Sequence, residues 1–133
     1  MNRNWEILQS ARTVAVVGLL GKRYRPSYGV AEYLKREGYR VIPVNPEETE
    51  VLGEKCYPDL DSVPGDIDVV DIFRKPEFVP EIVEAAIRKG AKVIWMQEGV
   101  IHEEAARRAR EAGLTVVMDR CILKDHRRLA HAS

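Results

Sequence analysis

Basic side chains are concentrated in one glycine-containing segment of the chain. Residues 18–29, here called the basic loop, carry Lys22, Arg23 and Arg25 and lie between an apolar run and a helical pattern. A helix N-terminus presents amide N–H groups with partial positive charge, which attract phosphate, and neighbouring cations strengthen that attraction. Ser27 is placed to cap this helix. The segment predicts an anion site; the alternative is a solvated surface loop with an ordinary serine cap.

The basic loop differs from known nucleotide-binding patterns, and these differences reduce the range of possible ligands. A dinucleotide fingerprint requires G-x-G-x-x-G, whereas this loop has Gly18 and Gly21 with the next glycine at Gly29. NAD-binding sheets place Asp or Glu at the end of the second strand to bind ribose hydroxyls, and this chain has Asn45 there. The Walker pattern is also absent. These differences argue against NAD and against ATP hydrolysis, and the neutral Asn45 leaves room for a phosphate near the ribose.

A second basic pair directly follows a later predicted strand. Arg74 and Lys75 come immediately after Phe73, and we expect them to face the same crevice as the basic loop. A ligand with several phosphate charges would bridge the two basic segments, whereas solvated side chains at a strand end are the alternative. Gln97 and Gly99 follow the next strand, so we expect them at the lip of the same pocket.

The other reactive side chains form no catalytic or metal-binding pattern. Cys56 and Cys121 lie far apart without C-x-x-C or Cys/His spacing, which predicts two thiols rather than a disulfide or a zinc site. We interpret Cys121 as a buried inert thiol, with contact to a ligand thiol as the alternative. His102 is expected in the first turn of a helix, and Arg120 is expected to pair with Asp119. We predict no catalytic residue and no metal ligand.

Apolar β-branched runs alternate with helical periods along almost the whole chain. Continuous apolar runs such as residues 14–17 are typical of strands covered on both faces, and Trp95 is expected in the core. The predicted strands are 14–17, 40–44, a short edge strand at 54–57, 67–73, 92–96 and 115–118. The predicted helices are 5–11, 29–38, 76–88 and 102–112, followed by a polar C-terminal turn.

This alternation predicts a three-layer α/β fold of the Rossmann-like type. Strands separated by helices form βαβ units with right-handed crossovers, so we expect a mainly parallel sheet of about five or six strands in the order 3-2-1-4-5-6. That order reverses between the strand before Gly18 and the strand before Phe73. Ligands bind outside the carboxyl ends of strands at such a reversal, which is where both basic segments lie.

Composition excludes several functional classes. The chain has 133 residues and 15.1 kDa, which suits one domain spanning residues 1–133. Its 21 basic and 21 acidic residues give no net charge, so no bulk field favours nucleic acid or an anionic membrane. No apolar stretch is long enough to cross a bilayer, and no secretory signal begins the chain, so we expect a cytoplasmic protein. The sequence does not indicate a protein partner.

Several segments in a fixed order give a more specific indication. They are Val-Gly-Leu at 17–19, Lys22, Arg-Pro-Ser-Tyr at 25–28, Val-Ile-Pro-Val-Asn-Pro at 41–46, Val-Leu-Gly-Glu at 51–54, Asp-Ile-Phe-Arg at 71–74, Trp-Met-Gln-Glu-Gly at 95–99 and Met-Asp-Arg-Cys at 118–121. In these segments, which cover nearly the whole chain, it resembles the small stand-alone CoA-binding proteins. Their single domain is similar to the CoA-binding domain of the succinyl-CoA synthetase α subunit.

The resemblance implies a Rossmann-like fold and coenzyme A or an acyl-CoA as the ligand. It places the CoA phosphates near a set of basic-loop residues, which are Gly18, Leu19, Lys22, Arg25, Pro26, Ser27 and Tyr28. It places the adenosine near Asn45 and Pro46, and more of the ligand beside Phe73, Arg74, Gln97 and Gly99. The family usually has serine after Gly-Leu, and this chain has Leu20, which removes a hydroxyl donor.

The resemblance therefore implies a CoA-binding protein without evident catalysis. The second domain of the synthetase α subunit, which supplies a phosphorylated histidine, is not contained in 133 residues. One alternative is an enzyme, either a nucleotide-cofactor oxidoreductase or a small catalyst that handles acyl-CoA. The other alternative, suggested by Leu20, is an interaction module with a vestigial nucleotide site.

Overall fold

Five parallel strands form the central sheet of the computed structural model, which describes residues 3–131. The strands of the chain are β1 (Thr13–Val17), β2 (Arg40–Val44), β3 (Glu50–Val51), β4 (Glu54–Lys55), β5 (Val69–Ile72), β6 (Val93–Met96) and β7 (Thr115–Val117). The sheet order is β2-β1-β5-β6-β7, while β3 and β4 pair as a separate antiparallel hairpin. The predicted α/β fold and the position of the strand reversal, between β1 and β5, are confirmed.

Helices cover both faces of the sheet. Successive residues along each strand point to opposite faces, and because both sets are apolar, both faces must be buried. The helices are α1 (Arg3–Ser10), α2 (Pro26–Arg36), α3 (Val79–Lys89), α4 (Glu103–Glu111) and α5 (Ile122–Ala130). Val16 and Trp95 pack with α1, α2 and α5, whereas Val17 and Met96 pack with α3 and α4. Trp95 is fully buried, as predicted, and its indole N–H donates to the Arg120 carbonyl at 2.8 Å. None of the helices within residues 3–131 is long and apolar enough to span a membrane.

The predicted edge strand at 54–57 reaches the sheet at a single bridge. Tyr57 donates its N–H to the Pro43 carbonyl at 3.0 Å and accepts from the Asn45 N–H at 2.8 Å. To extend this pairing toward the residues before Tyr57, Pro43 would have to donate a backbone hydrogen bond to one of their carbonyl groups. Pro43 has no N–H, so the pairing along this edge of β2 stops at Tyr57. The sheet therefore has five strands in the predicted order, with the third one reduced to a bridge.

Helix α2 begins earlier than predicted, and this changes the role of Ser27. Pro26 occupies the first helical turn, where its missing N–H leaves no broken hydrogen bond, and Arg25 is the N-cap residue without a side-chain capping bond. Ser27 is buried, and its hydroxyl accepts a hydrogen bond from the Leu20 N–H at 3.3 Å. The prediction of a Ser27 cap is wrong: this hydroxyl ties the basic loop to the helix.

The predicted polar turn at the C-terminus is instead helix α5. Its buried positions are Ile122, Asp125, His126 and Leu129, which share one helical face. Arg120 forms two hydrogen bonds of 2.7 Å with the Asp125 carboxylate. The expected pairing of Arg120 with Asp119 is therefore wrong; the Asp119 carboxylate accepts instead from the Gly99 N–H at 2.8 Å.

The role predicted for His102 at the first turn of a helix is confirmed. His102 is the N-cap residue of α4, and its Nδ1 accepts a hydrogen bond from the Ala105 N–H at 3.0 Å. Because a neutral ring nitrogen must accept this bond, the imidazole is held in one tautomer by the helix that it caps. His102 therefore contributes to helix initiation.

Asp71 is a buried carboxyl group in the middle of the sheet. It lies on β5 between Val16 of β1 and Trp95 of β6, and its exposed fraction is 0%. Neither carboxyl oxygen has a hydrogen-bond partner among the described residues. Burial raises the pKa of Asp71 well above its ordinary value, because the apolar surroundings disfavour the charged form. Burial therefore favours the neutral form of Asp71 inside the fold.

We predict that Asp71→Asn stabilises the protein in a pH-dependent way. Below about pH 4 the carboxyl is protonated in both states; above it, only the folded chain keeps the proton. The wild-type free energy of unfolding then falls as the pH rises, by at most about 1.4 kcal/mol per pH unit, until the folded group also titrates. Urea unfolding over a pH series should show a stability gain of the variant that is absent in acid and grows toward neutral pH.

Asp125→Asn provides a control of opposite sign. Burial raises the pKa of Asp125, whereas the hydrogen bonds from Arg120 and Asn4 lower it. The lowering effects together are larger, so the net shift of the pKa is downward. Its stabilisation is therefore present above the unfolded pKa and lost as the pH falls. The variant should lose about 1–3 kcal/mol at neutral pH and approach the wild type in acid. Parallel pH profiles for the two variants would contradict this account.

Candidate functional site

Three adjoining hollows lie at the carboxyl edge of the sheet, where the strand order reverses. The largest, here called the groove, runs between α2 and α5 and has a volume of about 750 Å³. The central hollow lies between the ends of β1 and β5 and measures about 310 Å³. The outer hollow lies on the α3 side of the sheet and measures about 320 Å³. The predicted location of a ligand site therefore coincides with concave surface.

The groove has apolar walls and basic groups along its rim. Val30 of α2, Phe73 after β5 and Leu123 of α5 supply apolar surface, and Lys124 and Arg127 of α5 also line the groove. The predicted lip residues Gln97 and Gly99 belong to the lining. The lining also includes Pro26, which the family resemblance places near the CoA phosphates, and Cys121. A long, partly apolar ligand with anionic groups matches this combination of surfaces.

Buried polar contacts fix the inner end of the groove. Gln97 is buried, and its side-chain oxygen accepts a hydrogen bond from the Ile122 N–H at 3.1 Å, at the start of α5. Cys121, the N-cap residue of α5, is a buried free thiol beside this contact. At the exposed rim above them, Lys124 contacts both oxygens of the Glu98 carboxylate, at 3.0 and 3.2 Å. The strand end and the helix start are therefore held together at the groove floor.

The central hollow depends on a close approach between two loops. Gly18 has a φ of 91°, and a Cβ atom there would lie 2.7 Å from the Phe73 carbonyl oxygen and 3.0 Å from Arg74 Cδ. A side chain at Gly18 would therefore separate the two loops. Asn45 and Pro46 form the opposite wall of this hollow. Asn45 is buried, and its side-chain N–H donates to the Leu19 carbonyl at 3.1 Å.

Arg74 is the residue that the three hollows share. It belongs to the lining of the groove, the central hollow and the outer hollow. Its guanidinium lies over the Phe78 ring, 4.2 Å from the ring centroid, so stacking holds the cation in place. Among residues 3–131 no carboxylate forms an ion pair with Arg74. The junction of the hollows therefore carries a positioned positive charge.

The basic loop contributes less to these hollows than the sequence predicts. Lys22 and Arg25 are exposed, and neither belongs to the lining of the three hollows. Leu19 is fully buried in the core, and Tyr28 packs against the core cluster that contains α2. Ser27 is buried under the loop. A phosphate-binding role for these five residues stays a prediction.

Amide groups in the first part of the basic loop already have partners within the chain. The Gly18 N–H donates to the Val44 carbonyl at 2.8 Å, and the Leu20 N–H donates to Ser27. The Gly21 N–H donates to the Glu48 carboxylate at 2.6 Å. An anion can therefore reach the Gly21 amide only by replacing Glu48.

Sequence reasoning missed two parts of this site. Lys124 and Arg127 line the groove because α5 forms where a turn was predicted. The spacing of Ile122 and Leu129 was the available signal for this helix. Nothing in the local pattern around Glu48 could have placed its carboxylate on Gly21, because that contact depends on how the segment after β2 folds back.

The comparisons with known proteins agree with this fold. A family model described as a CoA binding domain matches residues 12–127. The Bacillus subtilis protein YneT is 41% identical over 121 residues, which cover 91% of this chain and 90% of that protein. A solved structure of a hypothetical protein from Pyrococcus horikoshii has 46% identity and a TM-score of 0.94, covering 96% of this chain and 89% of the other.

A larger enzyme contains a similar domain. The α subunit of ADP-forming acetate–CoA ligase II from Pyrococcus furiosus is 30% identical over 122 residues, covering 84% of this chain but only 27% of the subunit. The similarity thus concerns one part of the ligase subunit, and the resemblance seen in the sequence is confirmed. The chain belongs to the CoA-binding domain family.

Proposed function

We propose that the protein binds coenzyme A or an acyl-CoA across the three hollows, without catalysis of its own. The observation that carries this proposal is the position of Arg74, a stacked cation where the hollows meet at the strand reversal, with no ion pair among residues 3–131. The described histidines support binding rather than catalysis. His102 caps α4, and neither His126 nor His131 belongs to the lining of the hollows.

The chemistry of the lining residues fits the parts of coenzyme A. The molecule combines an adenosine and several phosphates with a pantetheine arm that ends in a thiol. Arg74 and Lys75 would meet the phosphates in the central hollow, and the apolar walls of the groove would take the pantetheine arm. The thiol would then lie toward Cys121. In the outer hollow, Pro46 and Leu60 offer apolar surface for the adenine.

Calorimetry with CoA, NAD and ATP separates this proposal from the two alternatives. A CoA-binding protein should give heat with CoA and much weaker heat with NAD and ATP. Selective binding of NAD would support an oxidoreductase, and absence of heat with all three would support a vestigial site. Detection of CoA in the purified protein by mass spectrometry would be independent support for the proposal.

Substitution of the site arginines should weaken CoA binding. Arg74→Ala removes the positioned cation, and Arg25→Ala removes the loop cation that the family resemblance assigns to the phosphates. Each should reduce the affinity for CoA by roughly 1.5–3 kcal/mol if it donates a charge-assisted hydrogen bond to phosphate. Titration calorimetry measures both values, and thermal unfolding checks that the folded state is retained.

Arg23→Ala is the matched control for these variants. Arg23 belongs to the same exposed loop and carries the same charge, but it lies outside the predicted binding set. A general charge effect would weaken CoA binding equally in Arg23→Ala and Arg25→Ala. Full affinity in Arg25→Ala would refute the phosphate role of Arg25, and full affinity in Arg74→Ala would refute the proposed arrangement of the ligand.

The position of the CoA thiol can be tested with the disulfide of CoA as a probe. In thiol–disulfide exchange, the Cys121 thiolate attacks one sulfur of the probe, forms a protein–CoA disulfide and releases one CoA thiolate, which takes up the proton. If the pantetheine arm lies in the groove, intact-mass spectrometry should detect one CoA adduct per chain. An excess of acetyl-CoA, which has no free thiol and so cannot reduce the adduct, should suppress it by competition.

Cys121→Ser and Cys56→Ser provide the matched pair for this experiment. Burial raises the pKa of the Cys56 thiol, and this thiol contacts the Asn45 carbonyl outside the groove lining. Loss of the adduct in Cys121→Ser alone is the expected result. An adduct that depends on Cys56, or one that excess acetyl-CoA does not suppress, would contradict the proposed orientation.

A further inference from the structure

The Glu48 side chain forms a short hydrogen bond with the backbone of the basic loop. One carboxylate oxygen accepts from the Gly21 N–H at 2.6 Å. A Cβ atom at Gly21 would lie 3.2 Å from this oxygen and 3.5 Å from the other. Both oxygens therefore lie against the backbone of Gly21, where a larger side chain would crowd them.

The segment after β2 is folded so that it presents Glu48 to the loop. The Asn45 side chain accepts from the Glu47 N–H at 2.9 Å, and the Asn45 carbonyl accepts from the Glu48 N–H at 3.3 Å. The same Asn45 side chain donates to the Leu19 carbonyl. One buried residue thus fixes the turn and attaches it to the basic loop.

The charged side chains around this contact form no ion pairs in the described part of the chain, although the Arg25 guanidinium lies over the Tyr24 ring, 5.7 Å from its centroid. Lys22, Arg23 and Arg25 lie in the same loop, yet residues 3–131 show no ion pair for them or for Glu48. Glu48 therefore interacts with a backbone amide rather than with a basic side chain. An amide N–H of a glycine-containing loop is the kind of donor that binds phosphate.

We propose that Glu48 is an internal anion that competes with a ligand phosphate for the Gly21 amide. This inference rests on the proposed CoA binding and concerns regulation of the same site. A phosphate that approaches Gly21 must displace the carboxylate and meets its negative charge until it does so. Glu48 therefore lowers the affinity of the site for anionic ligands and favours those whose other contacts outweigh this cost.

The sign of the effect distinguishes competition from structural support. If Glu48 competes, Glu48→Ala should bind CoA more tightly, with a dissociation constant roughly fivefold lower, because one repulsive charge near the phosphate is removed. Glu48→Gln should show part of this gain, since it removes the charge but keeps an acceptor. If Glu48 only holds the loop in place, both substitutions should weaken CoA binding.

Glu47→Gln is the matched control for the charge. Glu47 lines the central hollow, but it contacts the turn through its backbone N–H, which donates to the Asn45 side chain at 2.9 Å. This variant removes the same charge one position away and leaves the Gly21 contact intact. Equal tightening in Glu47→Gln and Glu48→Gln would show a general charge effect and overturn the proposal.

The Gly21 amide resonance in a ¹⁵N-labelled protein reports the exchange of partners directly. Without CoA, the resonance should differ between wild type and Glu48→Ala. At saturating CoA, the two resonances should coincide, because phosphate is then the partner in both proteins. A Gly21 resonance that CoA does not move, or that still differs between the two bound proteins, would refute the displacement.

These outcomes separate the inference from the proposed function. If the wild type binds CoA and Glu48→Ala binds it equally or more weakly, the function stands and the competition by Glu48 fails. If the wild type gives no heat with CoA but Glu48→Ala does, the carboxylate dominates the site and the inference is supported. If neither protein binds CoA, the proposed function and the inference fail together.

Discussion

The close approach of the β1 carboxyl end to the loop after β5 is the constraint on which the functional edge depends. Gly18 combines a positive φ with a distance that leaves no room for a Cβ atom beside the Phe73 carbonyl. Only glycine satisfies both conditions without strain. Because the two loops touch, Arg74 reaches across the boundary between the hollows, and one extended ligand can contact all of them. A wider gap would separate the outer hollow from the groove.

The groove wall supplied by α5 depends on polar contacts that are buried under that helix. Asp125 is paired with Arg120, and His126 shares a 2.7 Å hydrogen bond with the Tyr33 hydroxyl. Burial lowers the pKa of His126 and so favours its neutral form. The ring packs edge-on against Trp5 and Tyr39. Such a network specifies one position of the helix, because any displacement leaves buried polar groups unpaired. Asp71 differs, since its cost is not offset by any described partner.

Sequence periodicity predicted the elements whose buried positions are apolar and failed where buried positions are polar. The strand order and α3 follow from continuous β-branched runs and from a helical face that ends at Gly90 in a left-handed conformation. Helix α5 was missed because Asp125 and His126 occupy two of its four buried positions, so its apolar stripe is interrupted. The edge strand at 54–57 was predicted to be longer than it is. The missing N–H of Pro43 prevents further pairing of this separate segment with β2, and the sequence of the segment itself does not show that effect.

The same distinction explains which site residues could be predicted. Phe73, Gln97 and Gly99 follow buried strands directly, so the end of each strand fixes their positions at the edge. The cations of the basic loop have no such anchor, and exposed charges are screened by solvent and salt. Arg74 is half-buried and stacked on Phe78. Its guanidinium is therefore held in place, and solvent screens its charge less than the charges of the exposed loop. Counting basic residues therefore indicated the edge of the sheet where the hollows lie, whereas packing decides which of those residues line them.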